Sequence, residues 1–277
     1  MSHATTNALP GAGLDAATMP GHWLLARLGK RVLRPGGRAM TADLLERLAI
    51  IAADDVVELA PGMGATAQLV IQKQPASYTG VERDPAAASV VRALLRAEVD
   101  RCEEASAIDT GLLDGSADVV MGEAFLTMQT PENKARIVRE AFRVLRPGGR
   151  YGLHELALYP DDLDGVAQEE VRSALSGSIH VGARPLTVGD WRALLEEAGF
   201  EVRHEGMVGM LLLEPKRLIA DEGWGGALRI VLNVLGDRPA RRRVRAMRST
   251  FRRNREHLRA VALVATKPET TARGRTA

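Results

Sequence analysis

The segment VVELAPGMGATA carries the densest chemistry in the chain, with Glu58, Ala60, Gly62 and Gly64 at alternate positions. Glycine lacks a Cβ and tolerates positive φ, so such a turn lets a ligand approach the backbone closely. A helix beginning at Ala65 would offer its free N–H groups to a carboxylate or another anion. Gly62, Gly64 and Ala67 also fit the G-x-G-x-x-A dinucleotide fingerprint. Glu58 argues for a different ligand. A carboxylate four residues before Gly62 repels a diphosphate and attracts a cation, and Ala60-Pro61 delay the first glycine after its strand. A sulfonium compound with a free ammonium group suits the turn better.

A second carboxylate, Glu82, ends the segment YTGVE, where it could accept two hydrogen bonds from a ribose diol. For proton transfer the candidates are His154 and Glu155 in YGLHEL, His180 in a polar stretch, and Glu123 after DVVMG. Ligands of a parallel sheet bind at the carboxyl ends of its strands, which favours the first two. The lone cysteine, Cys102, has no partner for a disulfide and no base beside it, and no metal-ligand spacing occurs.

The elements needed to hold these residues are legible as an alternation. Apolar spacing predicts a helix over 22–34, stopped by PGG at 35–37, and a second helix from Thr41, read as its N-cap. Strands are expected at 56–59, 78–82, near 99–103, at 118–122 and at 151–158, with helices from Ala65, from Pro85 and over 131–145. The stretch 160–186 reads as polar and irregular. A helix capped by Thr187, a strand at 200–208 and a terminal apolar strand, LRAVALVAT, complete the series. Such alternation implies right-handed βαβ crossovers and a parallel sheet covered on both faces.

Taken together, ELAPGMGATA, GVERD, the loop before ADVV, and AFRVLRPGGRYGLHEL resemble the class I S-adenosylmethionine-dependent methyltransferases. They are most similar to the small-molecule branch that includes the ubiquinone and menaquinone biosynthesis type, over residues 35–204 and again at LRAVALVATKP. The resemblance implies a doubly wound α/β fold of seven mostly parallel strands, the last one antiparallel. It also implies S-adenosyl-L-methionine as cofactor. Glu58 and the backbone of Ala60, Pro61, Gly62 and Gly64 would face its methionine portion, Glu82 its ribose and Arg83 its adenine. Ser106 and Ala107 would lie at the adenine edge, Glu123 near the methionine end, and Gly37 and Thr41 at the amino-acid end. Ala60 replaces the usual first glycine, and Ser106 stands where an aspartate is common.

At 277 residues and a formal charge of +2, one domain is expected over 22–267, with a helical lid at 22–50 and a basic helical insertion at 214–257. Residues 1–21 and 268–277 are expected to be loose. The stretch from Arg238 to Arg259 holds ten arginines, with Val244, Met247, Phe251 and Leu258 near helical spacing. It suits a solvated amphipathic face, capture of an anionic acceptor, or contact with nucleic acid or a membrane surface. Of the tryptophans, Trp224 is the strongest candidate for a pocket wall. No secretory leader or membrane-spanning run is read, so the cytoplasm is expected. The expected activity is in-line methyl transfer to a small-molecule acceptor, apolar or anionic. The rival readings are an RNA-modifying methyltransferase and a non-catalytic cofactor-binding protein; a homodimer is left open.

Overall fold

A computed structural model describes residues 13–269; of the ends expected to be loose, 1–21 and 268–277, residues 1–12 and 270–277 lie outside the described residues. The alternation expected from the sequence is present. Strands β1 (Asp55–Leu59), β2 (Ser77–Val81), β3 (Asp100–Glu103), β4 (Ala117–Glu123) and β5 (Leu145–Leu158) run parallel. Helices α3 (Ala65–Ile71), α4 (Pro85–Arg92) and α5 (Pro131–Val144) provide the crossovers. Asp84 and Thr130 cap α4 and α5 by accepting backbone N–H bonds, and each helix has proline at its first turn.

The sheet order is β3-β2-β1-β4-β5-β8-β7, with the two-residue β6 (Leu186–Thr187) beside the end of β5. Strand β7 (Glu201–Gly209) lies at one edge. The last strand, β8 (Leu258–Thr266), inserts antiparallel between β5 and β7. Strand β8 is apolar almost throughout because it is covered on both faces, the usual pattern for a central strand of an α/β sheet. One apolar layer packs α5 and α7 (Val188–Glu197) against β4, β5 and β8; the other packs α2 (Gly37–Arg47), α3 and α4 on the opposite face.

Four differences from the expected elements matter for the site. Helix α1 covers only Gly21–Arg27 and breaks at Gly29, whose φ is 98°. Helix α2 starts at Gly37 behind Gly36, both with positive φ, so PGG opens this helix and Thr41 sits inside it. The stretch expected to be irregular contains α6 (Gly165–Ile179), capped by Asp164. The basic region forms two helices, α8 (Pro215–Gly236) and α9 (Arg238–Arg253). Within the stretch expected to be loose, Ala16 and Met19 are buried, and Arg243 of α9 donates to both of their carbonyls.

Candidate active site

A cavity of about 790 Å³ opens at the carboxyl ends of β1, β2 and β4. That volume lies in the upper part of the roughly 300–1,000 Å³ usual for a small-molecule site. Its floor comes from the turn after β1. Ala60, Gly62 and Gly64 all have positive φ, at 54°, 56° and 71°. Gly64 is required twice over, because a Cβ there would also lie 2.5 Å from Leu94. At Gly62 a Cβ would stand in open space, 4.0 Å from the carbonyl of Ala60, so backbone is exposed to whatever fills the cavity.

Glu82, just beyond β2, ties two loops together. Its Oε2 accepts from the N–H of Gly62 at 3.0 Å and its Oε1 from the N–H of Asp84 at 2.9 Å. Glu58 lies deeper and accepts from the Tyr78 hydroxyl at 2.7 Å. Burial pushes its pKa up to about 8, against the pull of that hydroxyl, and the negative charges of Glu123 and Glu82 push the same way.

Glu123 and His154 stand side by side because their strands pair in that register. Glu123 accepts from Thr41 at 2.7 Å and from Thr66, and its other partner is the guanidinium of Arg34 at 3.3 Å. Burial alone would raise its pKa, but Arg34 and His154 outweigh that and hold it at about 2. His154 is fully buried. Nδ1 is 2.6 Å from Glu123, and Nε2 is 2.5 Å from the carbonyl of Pro35.

The sequence candidates therefore separate. Glu58, Ala60, Pro61, Gly62, Glu82, Arg83, Ser106, Ala107, Glu123 and Glu155 line the cavity; Gly64, Gly37, Thr41, His154 and His180 do not. Glu155 spends its oxygens on the N–H groups of Phe125, Leu126 and Thr127 and on the Thr127 hydroxyl, holding the 3-10 turn Leu126–Met128 after β4. Both nitrogens of His154 are engaged, so neither is free for a substrate proton. His180 caps α6 in the left-handed region and contacts the carbonyl of Thr18. Gly37 faces Asp221. Trp224 is 78% exposed on α8, away from the cavity, whereas Trp23 lines it.

The residue sequence reasoning missed is His22. It lines the cavity from α1, stacks obliquely on Trp23, and forms no hydrogen bond to any described residue. Burial drops its pKa to about 4 despite the pull of Asp84, so the ring is neutral at physiological pH. Only its position beside Trp23 in a short apolar helix could have drawn attention to it.

Opposite the turn the cavity changes character. Its walls there are Trp23 and Leu25 of α1, Leu175 and Ile179 of α6, Met210 and Leu212 after β7, and Met247 and Phe251 of α9.

Comparison with known proteins places the chain in a family. Residues 57–153 match the family described as Methyltransferase domain. An uncharacterized protein of Haemophilus influenzae is 35% identical over 219 residues, spanning 78% of this chain and 85% of that one. The methyltransferase GfsG of Streptomyces halstedii is 30% identical over 61% of each chain. The chain belongs to the class I S-adenosylmethionine-dependent methyltransferases. A solved geranyl diphosphate methyltransferase in complex with S-adenosylmethionine shares the fold at 15% identity, with a TM-score of 0.60 over 83% of this chain and 84% of that one.

This methyltransferase belongs to a family named for S-adenosylmethionine, the ligand of that solved neighbour. Its residues fit that group: an open backbone at Gly62, the amino terminus of α3, and Glu58 and Glu82 around one cavity. Among the described residues there is no cluster of histidine, cysteine, aspartate or glutamate able to hold a metal ion, and no helix is long and apolar enough to cross a membrane.

Proposed function

We propose that this enzyme methylates a small acceptor with an apolar body, held in line with the cofactor's methyl group inside this one large cavity. The supporting observation is that cavity's division into a polar half around Gly62, Glu58 and Glu82 and an apolar half roofed by α1, α6 and α9. The polar half would hold the cofactor: Glu82 at the ribose, Arg83, Ser106 and Ala107 around the adenine, and Glu58 with the Ala60–Gly64 backbone at the methionine portion. Glu123, with Thr41 behind it, would close that end. When bound, the cofactor supplies an electrophilic methyl on a cationic sulfur.

The chain's own contribution is then positioning and exclusion of water. Holding the reacting atoms in near-attack geometry contributes on the order of 7–11 kcal/mol. His22 is suited to accept a hydrogen bond from the acceptor's nucleophilic group and orient it. At a pKa of about 4 it is a weak base, far from the near-neutral value at which general-base catalysis is most effective. The proposal favours an acceptor that is already a competent nucleophile.

RNA modification is less well supported. The side of α9 that reaches the cavity carries Met247 and Phe251, while Arg242, Arg245 and Arg253 are exposed. A cytoplasmic setting fits the lone buried thiol of Cys102. The test is transfer of labelled methyl groups to a panel of apolar metabolites bearing hydroxyl, amino or activated carbon nucleophiles, alongside total RNA. Label entering small organic-soluble products is expected. Label entering RNA alone would overturn the assignment.

A further inference from the structure

The helical hairpin formed by α8 and α9 has an outer surface unlike the rest of the molecule. Helix α8 is bent at Gly223, whose φ of 71° and ψ of 170° are not helical. Before the bend the helix is fastened down. Asp221 accepts from the N–H of Arg38 at 3.0 Å, Glu222 accepts from Arg31 and Val32 at 3.0 and 2.9 Å, and buried Lys30 lies 3.6 and 3.4 Å from the two carboxylates. After the bend, Trp224, Leu228, Val231, Leu232 and Leu235 recur with helical spacing, and all five are exposed. The inward side of the same stretch, Ala227 and Ile230, is buried, so the helix is already packed and the five are a second, uncovered face. Large apolar patches of this kind on a folded surface mark interaction sites.

The charges around the stripe say what covers it. Residues 215–253 contain eleven basic and three acidic side chains. All three acids are committed: Asp221 and Glu222 to the clamp, and Asp237 to capping α9 and pairing with Arg27. Among the described residues no carboxylate lies within ion-pair distance of Arg229, Arg238, Arg242, Arg245 or Arg253, all of them exposed. Arg241 donates to the carbonyl of Leu235 at 3.4 Å, which brings the arginine helix against the end of the apolar stripe. A second copy of this surface would bring like charges together. A nucleic acid would leave the tryptophan, leucines and valine unsatisfied. An anionic bilayer satisfies both, with apolar side chains in the acyl boundary and guanidinium groups at the headgroups.

We propose that the α8–α9 hairpin is a docking surface for anionic lipid membranes, seated through Trp224, Leu228, Val231, Leu232 and Leu235 with the α9 arginines at the headgroups. The assignment stands whether or not the acceptor is apolar, because it concerns the outer face of the hairpin. Docking there would nonetheless bring a bilayer next to the helix whose Met247 and Phe251 roof the cavity.

The test is co-sedimentation of the full chain with vesicles of phosphatidylglycerol mixed equally with phosphatidylcholine, and with vesicles of phosphatidylcholine alone. Binding to the first, at least tenfold weaker to the second and falling with salt, is expected. The double variant Leu228→Glu, Leu232→Glu should lose binding about tenfold or more while keeping S-adenosylmethionine affinity, which shows that it is folded. The emission of Trp224 should shift to the blue on vesicle addition, and Trp224→Phe should remove the shift. No binding to anionic vesicles at low salt would overturn the proposal, as would unchanged binding in the double variant. Sedimentation showing a dimer that the double variant splits would assign the stripe to a second copy instead. Binding of RNA without binding of vesicles would assign the arginines to nucleic acid.

Discussion

The Nδ1 atom of His154 lies 2.6 Å from Oε1 of Glu123, the two residues paired across β4 and β5, and the histidine's other nitrogen meets the carbonyl of Pro35. A carbonyl can only accept, so Nε2 carries a proton, and the shared position between Nδ1 and the carboxylate holds another. The pair joins the sheet to the loop before α2 and leaves the histidine no capacity for exchange with a substrate. Glu123→Gln should destabilise the fold by about 3–5 kcal/mol, because it leaves Arg34 buried without its counter-charge. Thermal unfolding checks this. Glu123 has a folded pKa of about 2 against an ordinary 4.5, so its contribution is full above 4.5 and is lost as pH falls toward 2. The variant's deficit should shrink over that window.

Glu82→Ala should weaken S-adenosylmethionine binding about tenfold or more, from the loss of charge-assisted hydrogen bonds worth about 1.5–3 kcal/mol each. It also releases the N–H groups of Gly62 and Asp84, so the turn itself loosens. Calorimetry reads the affinity and circular dichroism the fold. Unchanged affinity would remove Glu82 from the site.

Glu58 should couple cofactor binding to proton release. Its pKa of about 8 without ligand must fall when a cation is placed beside it, so affinity should rise with pH up to about 8. Calorimetry in buffers of different ionisation heat should show a proton leaving, and Glu58→Gln should show none. The stability sign is opposite to that of Glu123. A raised folded pKa stabilises fully below the ordinary 4.5 and loses that benefit as pH rises toward 8, so Glu58→Gln should melt higher than the parent at pH 8.

Ala60 adopts a φ of 54°, where an L side chain costs about 1–2 kcal/mol. Ala60→Gly should therefore be neutral or stabilising, and it should retain cofactor binding. A loss of more than about 1 kcal/mol in denaturant unfolding would show that the methyl group packs usefully.

His22→Ala should lower kcat by about tenfold or more with little change in cofactor affinity, whereas His180→Ala should stay within about twofold of the parent. Steady-state kinetics on the first acceptor identified would distinguish them. Equal effects would remove His22 from the acceptor half of the cavity.

The sheet was readable from the sequence because each βα unit announces itself locally, as Asp84-Pro85 and Thr130-Pro131 do at the starts of α4 and α5. The polar lining of the cavity was readable for the same reason, since its turn, Glu82 and the 105–108 loop each follow a recognisable strand. The apolar lining was not. Its walls come from α1, α6, the segment after β7 and α9, distant in the chain and brought together only by tertiary packing. Proline and two glycines at 35–37 read as a stop, yet left-handed Gly36 opens α2. The sequence likewise offered Trp224, bracketed by glycines, as a pocket wall; one of those glycines, Gly223, marks a bend in α8, and the tryptophan is exposed.

The insertion of β8 between β5 and β7 has a consequence for biosynthesis. Until residues 258–266 leave the ribosome, the long flank of β5 has no neighbour on that side and β7 has no sheet to join. Half-made chains must therefore be shielded from one another, and removing these residues should give an aggregating product instead of a smaller enzyme.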